Sequence, residues 1–372
     1  MNLHKNYTKK LIILFISLLS LYSCKKDIVS FDSNISKIAF GSCGSQNHEL
    51  PIFNIVTEHN PNIFIFLGDN IYGDTEDMQV LQEKYNMLGS KSSYINMKNT
   101  THIIATWDDH DYGMNDAGKY YKYKEESKEI FLNFFDEPIN SSRRKHNGIY
   151  HSEIYEINSS NRSNWSSRGN IKKLQIILLD NRTFRSNLKS YDGEVNNDDR
   201  YFYQLDYGIQ SSPDSTLLGE EQWLWLENEL LKDADVRLIC SGTQFAIEYN
   251  GYEAWANFPH EQKKLLDLIK KTNANGVLFL TGDVHYAEIS KINVENLYPI
   301  YDFTSSGLSS TWGFSTPNNN RIKGPIMENH FGLLTINWTV HDPIINMEVW
   351  DVSNTLRFKH SILLSEISTF VK

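Results

Sequence analysis

Several short stretches of this 372-residue sequence bring together side chains capable of chemistry, and each one closes an apolar run. Asp69 and Tyr72 lie three residues apart in Gly68-Asp69-Asn70-Ile71-Tyr72, directly after Ile63 to Leu67, where a tight turn can aim both at one point. A carboxylate and a phenolate together suit a hard, highly charged cation such as ferric iron. Alone, an Asp after a strand is a turn former or a helix cap. Trp107-Asp108-Asp109-His110-Asp111 follows the run from Thr101 to Thr106. Three carboxylates around one imidazole raise one another's pKa unless a cation neutralises them. The plainer reading is a solvated acidic loop, which fits poorly with the buried run before it. Gly282-Asp283-Val284-His285 follows Gly276 to Thr281. In an extended chain residues 283 and 285 share a side, so both could face one ion site, although a lone His beside a strand is ordinarily structural. Cys43 closes Lys37 to Phe40, and Asp180-Asn181-Arg182 closes Leu174 to Leu179. Five such endings suggest one shared rim.

The apolar runs are the elements that must position these groups. Buried strands with polar residues at their carboxyl ends are where open α/β sheets place ligands. A strand over 36–40, helical spacing over 49–59 stopped by Asn60-Pro61, and a strand from 63 make a βαβ unit, so the two strands should be parallel neighbours. The pattern then predicts one helix over 77–97, a strand over 102–107, an amphipathic stretch over 119–135, and strands over 150–157 and 174–179. A helix opening at Gly219 with Trp223, Leu226 and Leu230 on one face, a strand over 236–240, a helix over 258–271 and a strand over 276–281 follow. Residues 158–170 form a polar loop, and 190–216 read as a long surface excursion that shapes a substrate site. Beyond Tyr286 five alternating strands without helices predict an antiparallel sheet or extension. This order fits an α/β fold of two mixed sheets packed face to face, a four-layer αββα sandwich with C-terminal antiparallel strands.

Residues 1–23 stand apart from that fold. Lys5, Lys9 and Lys10 precede the apolar run Leu11 to Leu21, which closes as Leu21-Tyr22-Ser23-Cys24. A basic segment and a short apolar run read as an export signal, and its end resembles a bacterial lipobox. The other reading is ordinary cleavage with Cys24 a chance residue. Lipidation of Cys24 would make acyl chains the one membrane contact, with 24–36 as tether and 37–372 as the folded domain, exported to the periplasm or cell surface. Losing 1–23 removes three lysines and no acid, taking the formal charge of −10 further down. An acidic protein does not attract nucleic acid or anionic lipid. Cys43 and Cys240 then remain, and in an exported chain two cysteines ordinarily form a disulfide. The residues alone leave that open.

Taken in order, Cys43, GDNIY, WDDHD and GDVH resemble the calcineurin-like metallophosphoesterase superfamily, most closely its PhoD-like alkaline phosphatase and phosphodiesterase family. The superfamily pattern runs GDxxD or GDxxY, then Gly-Asn-His-Asp/Glu, then Gly-His-x-His. Here Asp109 stands at the Asn, Asp283 at the first His of the last motif, and Cys43 where other members have Asp-x-His, departures that the PhoD-like branch shares. LDNRTFRS at 179–186, LGEEQWLWLENEL at 218–230, SGTQF at 241–245 and SSGLSSTW at 305–312 are similar to that family too, so the resemblance spans about residues 37–315.

The resemblance implies a binuclear centre of Fe3+ and Ca2+. One ion would take Asp69, Tyr72, His285 and the Cys43 thiolate, making Cys43 a ligand rather than half of a disulfide. Its neighbour would share Asp69 and add Asp109 and Asp283, an all-oxygen shell that suits calcium better than zinc. It further implies hydrolysis of a small phosphate ester, monoester or diester, by hydroxide held at a metal pair about 3.5–4 Å apart. His110 would protonate the leaving alkoxide or stabilise the transition state. Arg182, with its forked donors, or Asn181 would hold a phosphate oxygen, a surface ion pair being the other reading of Arg182. Asn115 and Asp116 would meet substrate or a further calcium. Three alternatives stand beside this: a phospholipase-type diesterase of the same family, a non-catalytic surface lipoprotein that kept the fold for binding, and a zinc nucleotidase of the wider superfamily. Asp109, Asp283 and the Cys43–Tyr72 pair weigh against zinc.

Overall fold

The structure is a computed structural model that describes residues 30–31, 35–158, 171–192 and 206–369. In chain order its elements are β1 (Ser30–Phe31), β2 (Ile35–Gly41), α1 (Ile52–His59), β3 (Ile63–Leu67), α2 (Met78–Gly89), α3 (Ser92–Thr100), β4 (His102–Thr106), α4 (Asp109–Tyr112) and α5 (Lys124–Phe134). There follow β5 (His151–Asn158), β6 (Ile171–Leu178), β7 (Lys189–Ser190), β8 (Tyr207–Gly208), α6 (Gly219–Leu230), β9 (Val236–Ser241), α7 (Pro259–Thr272) and β10 (Val277–Thr281). The last are β11 (Ala287–Ile292), β12 (Ile300–Ser305), β13 (Arg321–Ile326), β14 (His330–Asn337), β15 (Ile344–Asp351) and β16 (Leu356–Leu363). No helix among the described residues is long and apolar enough to cross a membrane.

An eight-stranded sheet runs β1-β5-β6-β9-β10-β12-β11-β13, and a six-stranded sheet runs β16-β15-β14-β2-β3-β4. Alternation sorts the side chains of the inner strands. Ile38 and Phe40 of β2 and Ile63, Ile65 and Leu67 of β3 enter the core between the sheets, with Leu238, Leu278 and Phe303 opposite. Ala39, Phe64 and Phe66 turn outward onto a helical layer that includes Phe53, Val56, Leu81 and Tyr85. Phe40 meets Phe303 edge to face across the sandwich, centroids 4.8 Å apart, and burying each such ring is worth about 1.5–3 kcal/mol. The result is the two-sheet, helix-flanked sandwich expected, and β2 and β3 are parallel neighbours as the βαβ spacing required.

Four expectations are corrected. The helix foreseen over 77–97 is two, α2 and α3, because the chain turns extended at Lys91 after Gly89. The amphipathic stretch at 119–135 becomes helical only from Lys124. The C-terminal strands do not form one antiparallel extension: β11 to β13 join the eight-stranded sheet, with β12 parallel to β10, while β14 to β16 complete the six-stranded sheet beside β2. Alternation tells which face a residue takes, not which sheet its strand joins. Part of the expected tether is also built into the sandwich, since Ser30–Phe31 runs parallel to Glu156–Ile157. Lys189–Ser190, at the start of the foreseen excursion, pairs with Tyr207–Gly208 within it. The signal segment, Cys24, 159–170 and 193–205 lie outside the described residues.

The parallel strands β2, β3 and β4 of one sheet and β6, β9, β10 and β12 of the other open their carboxyl ends onto one rim. There the sheets touch. Ser42 bridges to Ser306, Thr106 Oγ1 donates to the Leu179 carbonyl at 2.7 Å, and Trp107 Nε1 donates to Asp180 at 2.9 Å. A Cβ on Gly282 would come within 2.5 Å of Ser42 Oγ, so only glycine permits the approach.

Candidate metal centre

Each motif leaves the end of a different strand, and the turns that aim its residues are strained. Cys43, Asp69, Asp283 and His285 have φ of 58°, 48°, 76° and 59°. Non-glycine residues in the left-handed region cost on the order of 1–3 kcal/mol each and cluster at functional sites. Asp283 and His285 therefore do not share a side by extension, as the sequence suggested. They are brought round by two left-handed turns.

Two groups of donors converge on Asp69. Cys43 Sγ, an Asp69 oxygen and a His285 nitrogen lie within 4.8 Å of one another, and so do atoms of Asp69, Asp109 and His110. Cys43 Sγ is 3.4 Å from Asp69 Oδ2 and 3.0 Å from Ser306 Oγ. Asp69 Oδ1 and Tyr72 Oη are buried with no hydrogen-bond partner among the described residues, although buried polar atoms are otherwise almost always paired. Thiolate, phenolate, carboxylate and imidazole with orphaned oxygens fit a cation better than any other filling. Asp283 falls outside both donor groups, though it faces the charges of Asp108, Glu253 and Asp109. Cys43 and Cys240 are both free and buried, so they form no disulfide.

Burial dominates the electrostatics. It pushes the Cys43 thiol up to about 12 and holds Tyr72 above the ordinary phenol value. Burial, then the neighbouring Cys43 and Asp109, also raise the Asp69 carboxyl. Such groups ionise together only beside a cation. Burial acts against Asp109 as well, but Arg182 and His110 outweigh it and keep that carboxyl below its usual value.

The acidic motif does not act as one cluster. Asp108 turns away to pair with Arg182. Asp111 accepts hydrogen bonds from Asn70 and from the Asp108 amide, and burial lifts it to about 8. Of the motif, Asp109 and His110 share a donor group with Asp69. His110 Nδ1 is bound by both oxygens of Asp74 at 2.8 and 2.9 Å. Burial pulls this imidazole down, but Asp74 and Asp109 raise it further, so it stays above its ordinary value. His285 Nδ1 donates to the Ser310 carbonyl at 3.0 Å, which leaves Nε2 to meet a cation.

Arg182 is not a surface residue. It is fully buried, pairing through Nε with Asp108 and through Nη1 with Glu253 at 2.8 Å, while Nη2 lies 3.6 Å from Asp109. It is thus a counter-charge behind the rim, with Nε and Nη1 engaged and Nη2 buried without a hydrogen-bond partner among the described residues. Asn181 is buried too, its Oδ1 accepting from Ser241 Oγ and the Gly242 amide. Asn115 is exposed and donates to Asp116, whose own amide donates to Asp109 Oδ2.

Sequence reasoning missed three contributors. Asp74 stands five residues after Asp69 in the same turn. Gln46 accepts from the Tyr72 amide at 2.8 Å and donates to its carbonyl at 3.2 Å. Glu253 joins Arg182 to Arg185. Asp74 alone carried a signal, a carboxylate two residues beyond Tyr72 at the same strand end.

The sandwich and its rim of donors define a metallophosphoesterase-type protein. A family model for PhoD-like phosphatase matches residues 38–331, and the chain belongs to that family. It is 24% identical over 254 residues to alkaline phosphatase D of Bacillus subtilis (strain 168), a match covering 64% of this chain and 41% of that protein. The chain thus spans well under two thirds of that curated relative. Among solved structures it is similar to PhoD, with a TM-score of 0.64 and 17% identity over 92% of this chain and 74% of that one. It is similar to GAP50, described as the anchor in the inner membrane complex of Plasmodium, with a TM-score of 0.55 and 11% identity over 88% and 89%. A dimetal phosphatase from Danio rerio gives 0.50 and 11% over 88% and 99%. At these identities the likenesses show the fold.

Proposed function

We propose that the chain is a metal-dependent phosphoric ester hydrolase whose centre takes two cations that share Asp69. The supporting observation is the position of Asp69, which belongs to both donor groups at once. In this reading Fe3+ is held by Cys43, Asp69, Tyr72 and His285, and Ca2+ by Asp69, Asp109 and Asp283. Asp283 is retained because it lies buried among Asp108, Asp109 and Glu253, a charge density that a cation relieves. When bound, the pair supplies Lewis acidity to ionise water and to polarise the phosphoryl group. The chain's own residues do the rest. Ser310 fixes the His285 tautomer. Asp74 holds His110 Nδ1 so that Nε2–H faces the centre and passes its proton to the leaving oxygen. Arg182 cancels Asp108 and Glu253 behind the rim. Monoesters and diesters both meet these requirements, and Cys24 anchors the exported protein by acyl chains.

The test is metal analysis of residues 25–372 purified without chelator, read with the visible spectrum and with turnover of p-nitrophenyl phosphate and its bis ester. Iron with calcium is expected, with a ligand-to-iron band lost in Cys43→Ser or Tyr72→Phe and turnover lost in His110→Ala. Stoichiometric zinc overturns the metal assignment. Because a fold alone does not fix function, and one similar structure is described as an anchor, bound metal without turnover favours a non-catalytic binding protein.

A further inference from the structure

A column of rings begins at the metal-facing imidazole and runs outward. Trp312 stacks on His285 with centroids 5.0 Å apart and planes 13° from parallel, and Phe314 stacks on Trp312 at the same distance and angle. Tyr252 leans on both, 5.6 Å from Trp312 and 6.3 Å from Phe314. The Trp312 amide also donates to the His285 carbonyl at 3.2 Å, which ties the column to the ligand itself. Trp312, Phe314 and Tyr252 are each only partly buried. Since Trp312 lies between two rings, what it shows to solvent is its edge. Half-buried aromatic rings beside a reaction centre lose water when an apolar or aromatic group lies against them, and ring edges receive an aromatic face in the T-shaped arrangement.

The charges nearby point the same way. Arg182 and Arg185 are fully buried and both paired with Glu253. Lys84, behind Tyr72, is spent on the carbonyls of Tyr72 and Gly73. These cations are therefore committed inside the protein, while the column supplies aromatic surface to whatever leaves the centre. A substrate whose organic group carried further phosphates or carboxylates would find none of these charges offered to it.

We propose that the His285–Trp312–Phe314 column, with Tyr252, is a specificity wall that selects phosphate esters whose organic group is a neutral aromatic ring over those with alkyl or anionic groups. This inference rests on the hydrolase reading of the same centre and deepens it by naming the substrate class. Trp312 also clamps a ligand, so the test uses the two outer rings.

The experiment measures kcat/KM of the metal-loaded protein for 1-naphthyl phosphate and for propyl phosphate, and the affinity for phenylphosphonate and propylphosphonate. Phe314→Ala and Tyr252→Leu are compared with wild type. Each variant should lower the naphthyl-to-propyl ratio by about fivefold, the weight of one aromatic pair, and should narrow the phosphonate preference in the same direction. Phe314→Trp should restore the ratio. Turnover with an unchanged ratio in both variants overturns the wall and leaves the hydrolase reading standing. Wild type that neither turns over an ester nor binds a phosphonate overturns both. If Phe314→Ala does not fold, Tyr252→Leu and Phe314→Trp still decide by the same ratio.

Discussion

Asp74 and His110 make the sharpest residue-scale prediction. Both Asp74 oxygens lie within 3 Å of His110 Nδ1, so Asp74→Asn keeps the shape and weakens the hold on the imidazole. Its kcat should fall about 10- to 100-fold with KM near wild type, a general-acid effect rather than a binding one. A second prediction concerns His330, which is buried, gives Nδ1 to the Glu328 carbonyl at 2.7 Å, and is held down to about 4 by burial. Between about pH 4 and 6.5 the unfolded chain carries a proton that the native imidazole refuses, so the unfolded state binds more protons and stability falls as pH falls. Relative to His330→Asn, the wild type should lose about 1.4 kcal/mol per pH unit on acidification through that window, measured by urea unfolding. The legibility of the site divides by mechanism. That Cys43, Asp69, Tyr72, Asp109 and His285 gather on one rim was readable because each lies within a few residues of the end of an apolar run. Arg182 was readable as a charge but not as a buried one, since its partner Glu253 sits in a loop with no motif. The left-handed turns at Asp283 and His285 were hidden, for neither is glycine.

At the scale of elements, α6 and α7 are joined through one carboxylate. Glu261 Oε2 accepts from Thr216 Oγ1, the Leu217 and Leu218 amides and Trp223 Nε1 at 2.9 to 3.3 Å, in a nearly closed environment. Glu261→Leu strands several buried donors and should cost about 3 kcal/mol or more. Denaturant midpoints check the loss, and metal content per folded molecule should stay unchanged, because these helices lie on the outer side of the eight-stranded sheet. The strands themselves were largely legible, since β-branched and aromatic runs such as Ile63 to Leu67 bury both faces and allow little else. The split of 77–97 into two helices was not, because the break follows Gly89 without a proline to announce it. Nor was the sorting of the five foreseen C-terminal strands between the sheets, or β13, whose Arg321–Ile326 carries no alternation.

For the whole molecule, the proposed centre would draw Cys43, Asp69, Tyr72 and Asp109 from the ends of the six-stranded sheet and Asp283 and His285 from the eight-stranded one. A cation bound there ties the sheets together, so chelation should lower Tm by about 10 °C at saturating metal, read by calorimetry. Asp69→Asn should abolish the chelator's effect. The same topology has a consequence in time. β14 pairs with β2 across nearly the full length of the chain, from Asn337↔Ile35 to Gly332↔Phe40. A ribosome adding about 5–20 residues per second therefore leaves one edge of β2 bare for roughly 15 to 60 s after it emerges. Throughout that interval an apolar strand edge waits for a partner synthesised almost last, the exposure that invites sticking to other nascent chains. A message cut short before residue 330 would yield a polypeptide that keeps every proposed metal ligand yet never covers that edge.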